Sequence, residues 1–263
     1  MRVFILMLIL LLSGCSRNTT FSNELSYKRV ALLIANQRYP FNRDLETPIV
    51  GMNKLEKTLD NIGFDKVIPK IDATVLEFKE SLREIKRFIE LNKPHKTILY
   101  IYYAGHGSTE RGRTAEAFFE MTDTSQKILL SNYYLYDFIQ NENPNGFNVI
   151  SIDSCLNVHS DKSKKAKRIL GESQNIPDNT IISYATGFTE EVYDKSEHGF
   201  ASVYTTKLIT LLQKRMPIQD IFNKLEREVR KETNNGQGSF RMSTLTELIS
   251  LKKISRDTNP TMP

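Results

Sequence analysis

Apolar residues fall along this chain in two alternating patterns, which predict strands and helices in turn. A near-continuous apolar run such as Arg29–Ala35 is typical of a strand that is covered on both faces of a sheet. Comparable runs predict strands at Phe64–Ile71, Thr97–Tyr103, Phe147–Ile152 and Asn179–Tyr184, with shorter elements at Ala115–Met121 and Met242–Ile249.

Between these runs the apolar residues take up helical spacing. Positions 52, 55, 59 and 62 predict a helix over Val50–Ile62, which Gly63 ends. Thr74–Leu91 is strongly amphipathic, and further helices are predicted at Ser131–Ile139, Ala201–Gln213 and Pro217–Lys231. Because strands and helices alternate, we predict an α/β fold in which a mostly parallel sheet carries helices on both faces.

The first residues have the pattern of an export signal. Arg2 precedes the apolar run Val3–Leu12, which is too short to cross a bilayer. The tetrapeptide Leu12-Ser13-Gly14-Cys15 resembles a bacterial lipobox, so we expect cleavage before Cys15 and lipidation of its thiol. An ordinary signal peptide that ends near a cysteine is the alternative.

This signal predicts a location and a domain division. In the lipoprotein-sorting pattern that the segment resembles, Ser16 after the cysteine favours the outer membrane, facing the periplasm of a bacterial cell envelope. We therefore expect a signal peptide at 1–14, a polar tether at 15–27, one domain at 28–254 and a tail at 255–263. Several acyl chains would anchor such a protein firmly to the membrane.

Bulk composition narrows the classes of partner. The chain has 263 residues, 40% of them hydrophobic and 25% charged, which is ordinary for a globular protein. Its net charge of +5 is mild. A nucleic-acid-binding protein would show a basic stripe with aromatic residues between the charges, and we find none, so we predict no nucleic-acid partner.

Two segments at predicted strand ends bring together the residues of a cysteine hydrolase. Tyr-Tyr-Ala-Gly-His-Gly ends at Gly107 and contains His106, and Ser-Ile-Asp-Ser-Cys ends at Cys155. Ligands bind at the carboxyl ends of strands in open α/β sheets, so neighbouring strands would put both side chains on one edge. Cys155 would be the nucleophile and His106 the base and acid, with the N–H groups of Gly107 and Cys155 as an oxyanion hole.

Simpler interpretations of the same residues exist. A lone cysteine is more often a small buried hydrophobic residue, and a lone histidine is often a loop residue. His159 is a rival base, although the glycines around His106 favour the latter. The four histidines show no close ligand pairing, so we predict no metal, and the chemistry needs no cofactor.

The two boxes resemble those of caspase-like cysteine peptidases, especially the metacaspase and bacterial branches, over residues 28 to 245. The resemblance implies a caspase-like α/β/α sandwich that cleaves peptide bonds through a Cys155–His106 dyad and a thioester acyl-enzyme. It also implies substrate contacts by Ala185 and Thr186, and by Asp153, which would bind a basic residue at P1, the position before the cleaved bond. A turn-capping role for Asp153 is the alternative.

The chain also departs from that family. An Asn-Asp-Ala segment usually begins the first helix and supplies a second acid, whereas this chain has Val50-Gly51-Met52. A catalytically inactive scaffold module with the same fold, or a cysteine hydrolase that acts on cell-wall peptides, therefore remain alternatives to the peptidase.

A basic run after the cysteine suggests self-processing. A peptidase that prefers basic P1 residues would cut there, at Lys162, Lys164, Lys165, Lys167 or Arg168. A solvated surface loop is the alternative.

Overall fold

A computed structural model describes residues 27–110, 116–123, 130–154, 157–158, 176–186 and 200–253. The strands are β1 (Lys28–Ala35), β2 (Lys66–Ile71), β3 (Thr97–Ala104), β4 (Gly107–Glu110), β5 (Glu116–Phe119), β6 (Leu130–Ser131), β7 (Phe147–Asp153), β8 (Asn157–Val158), β9 (Thr180–Tyr184) and β10 (Phe240–Ser243). The helices are α1 (Pro48–Asn61), α2 (Val75–Leu91), α3 (Asn132–Glu142), α4 (Val203–Leu212) and α5 (Ile218–Glu232).

Six strands form the central sheet, in the order β10-β9-β7-β3-β1-β2. All neighbours are parallel except β10, which runs antiparallel to β9. The crossovers between parallel strands put helices on both faces, and this explains why β1, β3 and β7 are buried along almost their whole length. The predicted mostly parallel α/β fold is confirmed.

Two apolar clusters fill the space between the sheet and its two helical layers. Alternate residues of each strand face opposite sides, so Leu33 and Tyr102 join one cluster while Leu32 and Tyr103 join the other. The first cluster contains buried residues of α1, α4 and α5, and the second those of α2 and α3. The sheet is therefore the middle layer of an α/β/α sandwich.

Local sequence signals set the ends of two helices. Thr74 caps α2: its hydroxyl accepts from the Glu77 N–H while the Glu77 carboxylate accepts from the Thr74 N–H. Gly63 follows α1 with φ of 95°, a backbone conformation that glycine adopts without steric cost. The predicted boundaries of these helices are therefore confirmed to within about two residues.

Three predictions of secondary structure need correction. The last strand covers Phe240–Ser243 rather than Met242–Ile249, because Ile249 is buried against the first cluster and its carbonyl accepts from the Ile218 N–H. The helix predicted from Pro217 begins at Ile218, and Pro217 occupies the N-cap position before it. The short element expected at Ala115–Met121 is β5, but it belongs to a second sheet, ordered β6-β5-β4-β8, which was not predicted.

Within the described part of the chain, no helix combines the length and the apolarity needed to cross a bilayer. The predicted signal peptide at 1–14 and the predicted tail at 255–263 lie outside the described residues. So does residue range 15–26 of the predicted tether, which contains Cys15 and Ser16.

Candidate active site

The ends of β3 and β7 lie side by side at the carboxyl edge of the central sheet. Ala104 pairs with Asp153, and the N–H of Gly105 donates to the carbonyl oxygen of Asp153 over 3.3 Å. The chain therefore leaves both strands at the same place, and it continues to His106 on one side and through the buried Ser154 on the other. Cys155 itself lies outside the described residues.

The His106 imidazole is held by a main-chain carbonyl. Its Nε2 lies 2.6 Å from the carbonyl oxygen of Arg43, which can only accept a hydrogen bond. Nε2 must then carry the proton, which leaves Nδ1 of the neutral ring as an acceptor. His106 is half-buried, so part of its surface is open to solvent.

Two buried phenols fix the main chain of His106 on both sides. The His106 N–H donates to Tyr39 Oη over 2.9 Å, and Tyr103 Oη donates to the His106 carbonyl over 2.5 Å. The Tyr39 ring also packs against the imidazole, with ring centroids 4.6 Å apart. Burial raises the pKa of both phenols well above the usual range, so both hydroxyls stay protonated at every physiological pH.

Gly105 has no room for a side chain between these phenols. A Cβ there would lie 2.4 Å from Tyr39 Oη and 2.6 Å from Tyr103 Oη, closer than real Cβ contacts. The glycine before the histidine is therefore explained by packing.

A further layer of bonds supports the phenols. The Asn36 amide is fully buried; it donates to the Glu120 carbonyl over 2.8 Å and accepts from the Ala73 N–H over 2.9 Å.

The register of β4 and β5 sets the direction of the Gly107 N–H. The Glu120 N–H donates to the His106 carbonyl, so Gly107 and Phe119 are directly opposite each other but form no hydrogen bonds with each other. The Gly107 N–H consequently points away from β5, as an oxyanion donor would have to.

Asp153 is the buried acid of the site, with 8% of its surface exposed. Its Oδ2 accepts from the hydroxyls of Ser202 and Thr205, each at 2.5 Å. Ser202 caps α4, since its Oγ also accepts from the Thr205 N–H over 3.0 Å. The carboxylate is thus joined to the N-terminus of α4, where a negative charge is favourable.

α1 passes close to the N-terminal end of α4 at Gly51. A Cβ at Gly51 would lie 2.9 Å from the Cβ of Ala201 and 3.1 Å from Cγ2 of Thr205. The close approach of α1 and α4 therefore depends on glycine at the position where an acid was expected by resemblance.

Ala185 and Thr186, which follow β9, are both fully buried. The Ala185 N–H donates to the Ile152 carbonyl and its own carbonyl accepts from Gln237 Nε2, so both main-chain groups are used inside the fold. Among the described residues, none forms a hydrogen bond with the buried Thr186 Oγ1.

A family model described as "caspase domain" matches residues 28–250. The chain belongs to this caspase-domain family. It is 26% identical, over 192 residues, to human mucosa-associated lymphoid tissue lymphoma translocation protein 1; the match covers 71% of this chain and 22% of that protein. The chain thus spans about a fifth of that relative's length.

Solved structures share the fold. The Drosophila initiator caspase Dronc superposes with a TM-score of 0.60 at 13% identity, over 86% of this chain and 83% of that one. A Geobacter sulfurreducens protein superposes with a TM-score of 0.62 at 12% identity, over 87% and 98%. The α/β/α sandwich is thus a caspase-like fold.

Several predicted residues of this caspase domain lie outside the described part of the chain. They are the rival base His159 and the basic residues proposed for self-processing, Lys162, Lys164, Lys165, Lys167 and Arg168. Among the described residues, no group of three His, Cys, Asp or Glu side chains is arranged to hold a metal ion.

Sequence reasoning missed three partners of the site. The Arg43 carbonyl has no sequence signature, because any residue supplies one. Ser202 and Thr205 belong to a helix predicted from its apolar spacing, and their approach to Asp153 depends on how that helix packs. A Ser followed three residues later by Thr at a helix start could have pointed to the cap, but not to the acid it binds.

Proposed function

We propose that this caspase domain is a cysteine endopeptidase in which Cys155 is the nucleophile and His106 the general base and acid. The observation that supports it best is the hydrogen bond from His106 Nε2 to the Arg43 carbonyl. That bond orients the imidazole and leaves Nδ1 to accept a proton, on the same sheet edge from which the chain leads to Cys155.

The reaction follows from that protonation state. Nδ1 of His106 accepts the thiol proton as the Cys155 sulfur attacks the carbonyl carbon of the scissile bond, and a tetrahedral oxyanion forms. The imidazolium then gives the proton to the leaving amine, the C–N bond breaks and a thioester remains. Water, deprotonated by His106, cleaves the thioester and releases the acid product and the free thiol.

The oxyanion needs donors in place before the reaction. We assign this role to the N–H groups of Gly107 and Cys155. The support is that the Gly107 N–H is directed away from β5, and that Gly107 follows a histidine whose main chain is fixed by two phenols.

We propose that the substrate residue before the scissile bond is arginine or lysine. Asp153 lies two residues before the nucleophile, and its buried carboxylate would pair with a guanidinium or an ammonium group. Ala185 and Thr186 would line the same pocket, to which Thr186 would contribute its buried hydroxyl group.

We also propose that the chain is a bacterial lipoprotein, anchored by lipid on Cys15. A Cys15→Ser variant would then leave the membrane fraction of the expressing cells. Equal membrane partition of the variant and the wild type would contradict the anchor without bearing on the peptidase.

Matched peptides with arginine, lysine or aspartate at P1 test the activity. We expect cleavage after the basic residues, and a loss of about 10⁴-fold or more in kcat/KM for Cys155→Ala and for His106→Ala. His95→Ala changes an exposed histidine that precedes β3, at the opposite end of that strand from His106; it is the control and should retain full activity. Equal labelling of wild type and Cys155→Ala by a thiol-reactive peptide probe, with no cleavage by either, would favour the inactive scaffold.

A further inference from the structure

Two hydroxyl groups at the N-terminal end of α4 hold Asp153, and the chemistry of the groups fixes the direction of each hydrogen bond. An ionised carboxylate only accepts, so the hydroxyls of Ser202 and Thr205 both donate to Asp153 Oδ2. Thr205 has then used its proton. The Tyr102 hydroxyl, 2.7 Å from Thr205 Oγ1, must therefore donate to Thr205.

The result is a one-way chain of donors. Tyr102 donates to Thr205 and Thr205 donates to Asp153, while the Thr205 N–H donates to Ser202 and Ser202 donates to Asp153. Every member is buried, and successive bonds in such a chain polarise one another. These hydrogen bonds stabilise the carboxylate charge and fix its orientation.

Because Gly51 has no side chain, α4 can lie close enough to α1 for these hydroxyls to take their present positions at Asp153. Because a Cβ at Gly51 would lie 3.1 Å from Cγ2 of Thr205 and 2.9 Å from Cβ of Ala201, any side chain there pushes against the first turn of α4. An aspartate on α1 and the present position of Thr205 therefore compete for the same space. The methyl groups of Ala201 and Thr205 occupy the place that a second acid would need.

We propose that Ser202 and Thr205 are positioning residues for substrate selection, which prepare Asp153 to recognise a positively charged P1 side chain. This proposal rests on the proposed function. It assigns recognition to the negative charge of Asp153, oriented by hydroxyls, so that selection depends on the charge of the P1 residue more than on its shape.

The test compares two peptides that differ only at P1, one with arginine and one with citrulline, its neutral isostere. The quantity measured is the ratio of their kcat/KM values. We expect Ser202→Ala and Thr205→Val each to lower that ratio by about tenfold, the size of one lost hydrogen bond to a charged group. Cleavage of the citrulline peptide should change little.

Three variants separate this role from helix stability. Thr205→Ser keeps the hydroxyl and should restore the ratio. Thr206→Val removes a neighbouring hydroxyl that bonds to the Ala201 carbonyl instead, and should leave the ratio unchanged. Asp153→Asn should bring the ratio near one.

The outcomes are distinct. If Asp153→Asn lowers the ratio while Ser202→Ala and Thr205→Val do not, the positioning role is overturned and the proposed function stands. A Thr206→Val effect equal to that of Thr205→Val would also overturn it. If Asp153→Asn leaves the ratio unchanged, Asp153 does not recognise a basic P1 residue, and the positioning role is overturned as well.

A binding measurement keeps the proposal testable without turnover. In the Cys155→Ala background, labelled peptides that end in arginine or citrulline give the same preference as a ratio of Kd values. We expect the Ser202 and Thr205 substitutions to reduce it as they reduce the kinetic ratio, and an unchanged Kd ratio would overturn the proposal.

Discussion

The histidine side of the site and the acid side are held in place by different kinds of group. His106 is fixed by the Arg43 carbonyl and by two phenols that bond to its own main chain. Asp153 is fixed by short hydroxyl side chains of a helix that is distant in sequence. Disturbing the first region should therefore change the rate for every substrate, whereas disturbing the second should change which substrate is chosen.

The largest effect is expected from closing the space between the phenols. Gly105→Ala would drive a Cβ into Tyr39 Oη and Tyr103 Oη and displace His106. A misplacement of about 1 Å costs about 100-fold in rate. We expect such a loss in kcat for arginine and citrulline peptides alike. A change in their ratio instead would contradict the separation of the two regions.

A tenfold smaller change should follow from one lost hydroxyl. Tyr39→Phe keeps the ring against the imidazole but leaves the His106 N–H without its acceptor, and the free energy of unfolding should fall by about 1–3 kcal/mol. We also expect kcat to fall about tenfold, because the lost hydrogen bond is one of the two phenol bonds that hold the main chain of His106. Tyr100→Phe is the control, since it removes a buried phenol bond to Ser151 within β3 and β7; it should destabilise without lowering kcat.

On the acid side, the matching change is Gly51→Ala. The new methyl group meets Ala201 and Thr205, so the first turn of α4 must shift by a few tenths of an ångström. We expect the arginine-to-citrulline ratio to fall about threefold, less than one whole hydrogen bond is worth. Full kcat on the citrulline peptide would show that His106 is undisturbed, and an unchanged ratio would show that the helices accommodate the methyl group elsewhere.

The smallest effect is expected at Arg43, whose side chain is exposed and whose carbonyl alone contacts His106. Arg43→Ala keeps that carbonyl, so kcat/KM should stay within about twofold of wild type, as for most surface substitutions. A large loss in a variant that unfolds at the wild-type temperature would mean that the guanidinium itself contacts the substrate.

The sequence predicted the parts of this site that depend on strand periodicity. The apolar runs of β3 and β7 placed His106 and Asp153 at strand ends, and parallel pairing brought those ends together. It could not predict β6 or β8, which are two residues long and too short to show a period. Nor could it predict the Ser202–Asp153 bond, which joins residues 49 positions apart and depends on the packing of α4.

The close packing around Gly51 also restricts which substitutions this site can accept. A chain with this arrangement cannot gain an aspartate on α1 by one substitution alone, because the new side chain would collide with Ala201 and Thr205 before it could help to bind a substrate. Residues 201 and 205 would have to change as well, and the hydrogen bond from Thr205 to Asp153 would be lost. Under the proposed function, a pocket with one acid and a pocket with two acids would therefore differ by at least three substitutions, at positions 51, 201 and 205.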